Sequence, residues 1–189
     1  MVVTDFWKHK KDVTKLYDET ANQYNARYAA EQSRKYQPVL DSISFDSNDS
    51  VLDNGCGTGL FMEEIAKHVK MIVGVDSSIN MLKKAYERIK RVNEANVIYC
   101  DSDNLPLRDS VFSKVVAFTL VQNVPDPCMT LSEIKRVSGS GSIVVLTFLK
   151  RKFELEEIRE LLHKVHLSVV DILDEEALRD YIVICRIFR

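Results

Sequence analysis

The sequence predicts an α/β fold: a seven-stranded, mostly parallel sheet with helices on both faces. Three observations predict it. Short apolar runs of strand length alternate with stretches whose apolar residues recur every three or four positions, the signature of strand–helix–strand units. The first run breaks directly into a glycine loop, VLDNGCGTG over residues 51–59. Three successive strands then close on an acid, Asp53, Asp76 and Asp101, which would line one edge of the sheet with carboxylates. At 189 residues the chain is long enough to bury about 70% of its unfolded surface, and one domain is expected: a helical cap over residues 1–45 and an α/β core over 46–189.

The opening segment has no strand signal. Val13, Tyr17, Ala21, Tyr24 and Tyr28 fall on one helical stripe, as in a docked cap helix with aromatic anchors. Lys8, His9, Lys10 and Lys11 ahead of it read as a mobile, solvated end. In the loop after the first strand, Gly55, Gly57 and Gly59 permit a sharp turn and a close approach of backbone N–H groups to a ligand. Asp53 sharpens that reading. A dinucleotide turn reads G-x-G-x-x-G, and its mouth accepts a pyrophosphate that a carboxylate there would repel. Here the run is G-x-G-x-G followed by Leu60, and an acid at the mouth suits a ligand with a cationic end, such as the amino group and sulfonium of S-adenosylmethionine.

A helix with Phe61, Ile65 and Val69 follows, then the buried strand MIVGVD over 71–76. Its terminal Asp76 lies where a carboxylate hydrogen-bonds ribose hydroxyls. The next helix is predicted to bury Ile79, Leu82, Tyr86 and Ile89 and to expose Lys83, Lys84, Arg88, Lys90 and Arg91, with Glu87 pairing Arg91. The third strand, NVIYC from Asn96 to Cys100, precedes Asp101. A fourth strand over 114–119 leads into VQNVPDP, where Asp126 caps a helix opened by Pro127, with Leu131, Ile134 and Val137 as its buried stripe. Strand five over 142–148, a helix carrying Leu155, Ile158, Leu162 and Val165, and strands over 167–173 and 181–188 complete the fold.

The series VLDNGCGTG, VGVDSS, CDSDNLPL and VQNVPDP, in that order and spacing, resembles the class I S-adenosylmethionine-dependent methyltransferases, and most of all the subgroup that holds the quinone- and sterol-methylating enzymes. The likeness covers roughly residues 50–148. It implies a Rossmann-like sheet of order 3-2-1-4-5-7-6 and S-adenosyl-L-methionine as cofactor, leaving as S-adenosyl-L-homocysteine, with no metal. By this resemblance Asp53 and the Gly55 backbone hold the methionine end, Asp76 the ribose, and Asp101 with Ser102 the adenine. Asn54, Cys56, Gly57, Gly59, Ser77 and Thr119 complete the implied cofactor set, and Tyr17, Tyr24 or Arg27 of the cap would reach the methionine carboxylate.

Two departures stand out. Many relatives carry histidines after strand four, where this chain has Gln122 and Asn123, so the catalytic group is unassigned; Gln122, Asn123 and Asp126 are candidates to orient an acceptor. His68, His163 and His166 are expected at the far end of the sheet, and only His9 near the ligand end. VSGSGS over 137–142 replaces the usual proline and paired glycines, and is expected to alter a turn.

Net charge is −2, which commits the chain to neither nucleic acid nor acidic membranes. The absence of a membrane-length apolar run predicts a soluble, cytoplasmic protein. Cys56, Cys100, Cys128 and Cys185 lack any C-x-x-C spacing, as expected of reduced thiols. Three functions stay open: a methyltransferase for a small or medium-sized acceptor, one acting on tRNA or another translation component with an activating subunit, and a cofactor-binding partner without catalysis. The edge strand 96–100 has no lysine or proline to discourage pairing, so two outcomes stay open for it, a protein partner added along the edge or a cover formed by the chain itself.

Overall fold

The computed structural model describes residues 3–188. Along the chain run α1 (Val3–Ser42), β1 (Ser50–Asn54), α2 (Leu60–Ile65), β2 (Met71–Asp76), α3 (Ile79–Ile89), β3 (Ala95–Tyr99), β4 (Phe112–Ala117), a 3-10 turn (Val121–Asn123), α4 (Pro127–Val137), β5 (Ser138–Leu149), α5 (Leu155–Lys164), β6 (Ser168–Leu173) and β7 (Asp180–Arg186). The strands form one sheet in the expected order, β3-β2-β1-β4-β5-β7-β6. β1 to β5 pair in parallel, and β7 runs antiparallel between β5 and β6.

Period-two alternation sends neighbouring residues of each strand to opposite faces. Leu52, Val115, Val144 and Val183 join Leu131, Ile134 and Val137 of α4 and Ile158 and Leu162 of α5 in one core. Val51, Val116, Val145 and Ile182 join Tyr36 and Val39 of α1, Phe61 and Ile65 of α2, and Leu82, Ala85 and Ile89 of α3 in the other. Strands covered on both faces are apolar almost throughout, which is why the central runs lack polar alternation.

The buried stripe of α3 differs from the expected one. Ile79 and Tyr86 are 46% and 56% exposed, and the helix instead buries Met81, Leu82, Ala85 and Ile89. The cause is the glycine loop: a Cβ on Gly59 would stand 3.0 Å from the Ala85 Cα and Cβ, so the helix turns its small residue onto the loop. Glu87 pairs with Lys90 rather than Arg91, and Arg88 pairs with Glu63 of α2.

The segment 138–142 is not a turn but the head of β5. Phe112 faces Ser138 while Lys114 faces Ile143, so β5 bulges there, and Gly141 takes φ 79° to allow it.

The cap is one helix of 40 residues. Its C-terminal part packs into the core through Tyr36 and Val39, while earlier side chains pin it to the sheet's ligand-binding end. Asp18 Oδ1 accepts from Ser78 Oγ at 2.5 Å and from the Asn80 N–H at 3.0 Å. Asn25 Oδ1 accepts from Thr58 Oγ1 at 2.7 Å.

Candidate functional site

The loop after β1 folds back on β2. Gly55 and Cys56 donate their N–H groups to the Val75 carbonyl at 2.8 and 2.9 Å, and Gly57 donates to Asp76 Oδ2 at 2.9 Å. Gly57 has φ +54°, and the position its Cβ would take has no atom within 4 Å. The loop therefore leaves open space above its second glycine, room for a ligand against bare backbone.

Two carboxylates stand under this loop. Asp53 is 2% exposed and accepts no hydrogen bond from any described residue. Its carboxyl borders a small cavity together with Tyr24, Gln32 and Tyr36. Burial first, and then the neighbouring Asp76, push its pKa up to about 8. Burial raises Asp76 too, against the lowering effect of N–H donors from Ser78, Gly57 and Ser77. Such a pair lacks a cation. A ligand ammonium would supply the missing charge, whereas a phosphate would add a third negative group.

The larger cavity beside the loop is lined on the sheet side by Gly55, Gly57, Asp76, Ser77, Asp101 and Ser102, and by Thr119 and Asn123 after β4. Tyr17 and Tyr24 close it from α1. These ten residues are the part of the expected cofactor set and acceptor loop that the fold brings together. Asn54 lies behind, fully buried, its Oδ1 accepting from Ser102 Oγ at 2.7 Å while its Nδ2 has no partner. Cys56 borders the small cavity with Asp53. Gly59 serves the packing of α3 and the start of α2.

Arg27 and Gln122 lie elsewhere, on a second cavity of 720 Å³ adjoining the first. Asp126 borders neither of these cavities: its Oδ1 accepts from the Cys128 N–H at 2.9 Å, capping α4. Asn123 Nδ2 donates to the Tyr17 hydroxyl at 2.9 Å and to the Thr119 carbonyl at 2.7 Å, tying the cap to the loop. His9 is the histidine that reaches this end, with Nε2 at 3.0 Å from the Asn123 carbonyl oxygen.

Sequence reasoning missed Lys10. Expected to be solvated, its side chain is 15% exposed and lies 2.6 Å from Asp101 and 2.5 Å from Asp103. Burial opposes its charge, but the two carboxylates prevail and its pKa is raised. Thr14 was missed as well; its Oγ1 lies 3.1 Å from Ser77 Oγ. The signal was present: Lys10 and Thr14 extend the stripe of Tyr17, Ala21 and Tyr24 by two helical turns. Thr119 has φ 58°, unusual for a β-branched residue. It is held there by three bonds, its N–H donating to Thr147 Oγ1 at 2.7 Å and its Oγ1 accepting from Lys35 at 2.9 Å and Gln32 at 3.2 Å.

Among the described residues no group of three or more His, Cys, Asp or Glu side chains could hold a metal, and no helix is long and apolar enough to cross a membrane.

The sequence model of a family described as "Methyltransferase domain" matches residues 52–146. A demethylmenaquinone methyltransferase of Staphylococcus saprophyticus is 29% identical over 143 residues, 72% of this chain and 61% of that protein. A malonyl-[acyl-carrier protein] O-methyltransferase of Marinomonas sp. is 27% identical over 145 residues, 76% of this chain and 53% of that protein. The chain thus spans about half to three-fifths of the length of these relatives. Among solved structures, the complex between the Haloferax volcanii Trm112 methyltransferase activator and a methyltransferase matches with TM-score 0.76 and 15% identity, over 92% of this chain and 98% of that one. A SAM-dependent methyltransferase from Aquifex aeolicus matches with TM-score 0.70 and 17% identity, over 79% of this chain and 87% of that one.

Proposed function

The chain belongs to the class I S-adenosylmethionine-dependent methyltransferases, and on that premise we propose that it transfers a methyl group from S-adenosylmethionine to a small or medium-sized acceptor. The observation that carries this reading is the unpaired, buried Asp53 beside Asp76 under an open glycine loop. In this reading Asp53 takes the ammonium of the methionine end, Asp76 the ribose hydroxyls, and Asp101 with Ser102 the adenine. When bound, the cofactor supplies a methyl group already activated by the sulfonium, which the acceptor's lone pair takes as the carbon–sulfur electrons return to sulfur.

The protein's share is then to hold the acceptor in line and exclude water. Tyr17, whose pKa burial and Asp76 raise, remains a neutral hydroxyl at the junction of the two cavities. Asn123 fixes it in place. His9, exposed beside the Asn123 carbonyl, is the histidine at this end of the sheet and is the proposed group to take a proton from an acceptor that arrives protonated. The four cysteines are all free, which supports a reducing, cytoplasmic setting. S-adenosylhomocysteine at a hundredfold excess over its dissociation constant is expected to raise the melting temperature by roughly 5 to 10 °C, and NAD to leave it unchanged. A shift with NAD alone would reverse the assignment.

A second reading is a methyltransferase acting on tRNA or another translation component with an activating subunit. It is favoured by the free edge of β3, which pairs only with β2 and carries Asn96 exposed and Tyr99 63% exposed. A strand of this kind invites strand addition. Ile98 packs against the core, so Tyr99→Lys is the cleaner probe of the edge. The wild-type chain is expected to co-elute with a purified Trm112-type activator, and Tyr99→Lys to lose the complex at unchanged melting temperature. Equal co-elution of both proteins would place the contact elsewhere. Methyl transfer from labelled cofactor to any fraction of a cell extract would exclude a cofactor-binding partner without catalysis.

A further inference from the structure

The second cavity, 720 Å³, shares Tyr17, Tyr24, Thr119 and Asn123 with the first, so whatever fills it meets the ligand of the glycine loop. Its charge is one-sided. Six cationic side chains border it, Arg27, Lys35, Lys150, Arg151, Lys152 and Arg179, against two acids, Glu31 and Asp180. Both acids are already matched, since Lys35 lies 2.8 Å from Asp180 and Arg179 lies 3.4 Å from Glu31. Lys150 is held from outside the cavity by Asp174 at 2.7 Å. Arg27, Arg151 and Lys152 have no acid partner among the described residues. In a chain of net charge −2, three unmatched cations around one cavity are a local feature.

Gln122 adds an independent observation. The residue borders the same cavity and is 8% exposed, and its amide nitrogen and oxygen, both buried just behind the wall, have no hydrogen-bond partner. Leaving a buried amide unsatisfied is costly unless a ligand meets it. The backbone carbonyl of Gln122 accepts from Lys152 Nζ at 2.9 Å, which fixes that ammonium against the Gln122 main chain.

Resting on the methyltransferase reading above, we propose that this cavity receives the methyl acceptor and that the acceptor bears an anionic group, a carboxylate or a phosphate, bound by Arg27, Arg151 and Lys152 beside the Gln122 amide. Guanidinium forks match the paired oxygens of either anion. Leu16, Tyr17, Tyr24 and Tyr28 give the acceptor's organic body an apolar wall. The cations surround a concavity rather than track along an open face, which favours a small acid over a nucleic-acid backbone.

The test measures phenyl phosphate, benzoate and neutral benzyl alcohol binding by calorimetry to the full chain loaded with S-adenosylhomocysteine. At least one acid is expected to bind about tenfold more tightly than the alcohol, and the better of the two identifies the anion. Arg27→Glu and Arg151→Glu, both at exposed positions, are each expected to weaken that acid about tenfold while S-adenosylhomocysteine affinity stays within about twofold. Gln122→Leu should weaken the acid without lowering the melting temperature. Acids that bind no better than the alcohol, or that ignore the charge reversals, overturn the proposal. So does loss of total tRNA binding in the reversed variants with the small acids indifferent throughout. Failure of S-adenosylhomocysteine to bind at all would instead remove the methyltransferase reading, and this proposal with it.

Discussion

An Asp53→Asn variant is expected to bind S-adenosylmethionine with about 1.5 to 3 kcal/mol less free energy, roughly 10- to 150-fold more weakly, and to change how binding exchanges protons. With its pKa pushed up to about 8 by burial and by Asp76, the Asp53 carboxyl is mostly protonated at pH 7 in the free protein. An ammonium placed against it favours the ionised form, so binding should release most of one proton. Calorimetry in buffers of differing ionisation enthalpy reads that proton directly. Asp53→Asn should abolish most of the release while Asp76 remains to titrate. Equal release by the two proteins would mean that Asp53 does not meet the cationic end.

The same shift has a stability consequence. A carboxyl whose folded pKa lies above its unfolded value of about 3.9 binds its proton more tightly in the folded state. Its contribution is therefore complete below about pH 4 and is lost as pH rises through about 8. Wild-type protein without ligand should accordingly lose stability relative to Asp53→Asn over that interval.

Local features explain what could be read from the sequence. Strand alternation, the glycine loop and the acid at the end of β2 are each encoded within a few residues, so the strands and the floor of the first cavity follow from them, while the sheet order came from the family resemblance. The stripe of α3 was misjudged because its facing depends on Gly59 admitting Ala85, a contact between elements. Lys10 lies on the stripe that faces the site, but its pairing is again a contact between elements: its two carboxylate partners lie beyond β3. The second cavity draws on α1, the turn after β4, the loop after β5 and the start of β7, and no short motif contains Arg27, Gln122 and Arg151 together.

Lys35→Met is expected to destabilise the fold by about 3 to 5 kcal/mol, because it would strand a buried charge. Lys35 is 1% exposed and Asp180, at the start of β7, is 0% exposed; they lie 2.8 Å apart, and no described residue donates a hydrogen bond to the Asp180 carboxylate. Removing the ammonium leaves that carboxylate, closed off from solvent at the wall of the second cavity, without the one cation among the described residues within ion-pair distance of it. Replacing both, as Lys35→Met with Asp180→Leu, removes the desolvation cost along with the attraction and is expected to restore stability to within about 1 kcal/mol of wild type. Urea unfolding of the two variants measures the difference, and a loss under about 1 kcal/mol in the single variant would show that the pair contributes little. Stability and function should then part company. Lys35 also donates to Thr119 Oγ1 at 2.9 Å, one of the bonds holding Thr119 at φ 58° on the first cavity. A residue in that conformation persists only where its surroundings over-determine it. The repaired double variant should therefore fold as well as wild type yet bind S-adenosylhomocysteine several-fold more weakly, about 1 kcal/mol, because the cap and the loop after β4 have lost one of the bonds that join them.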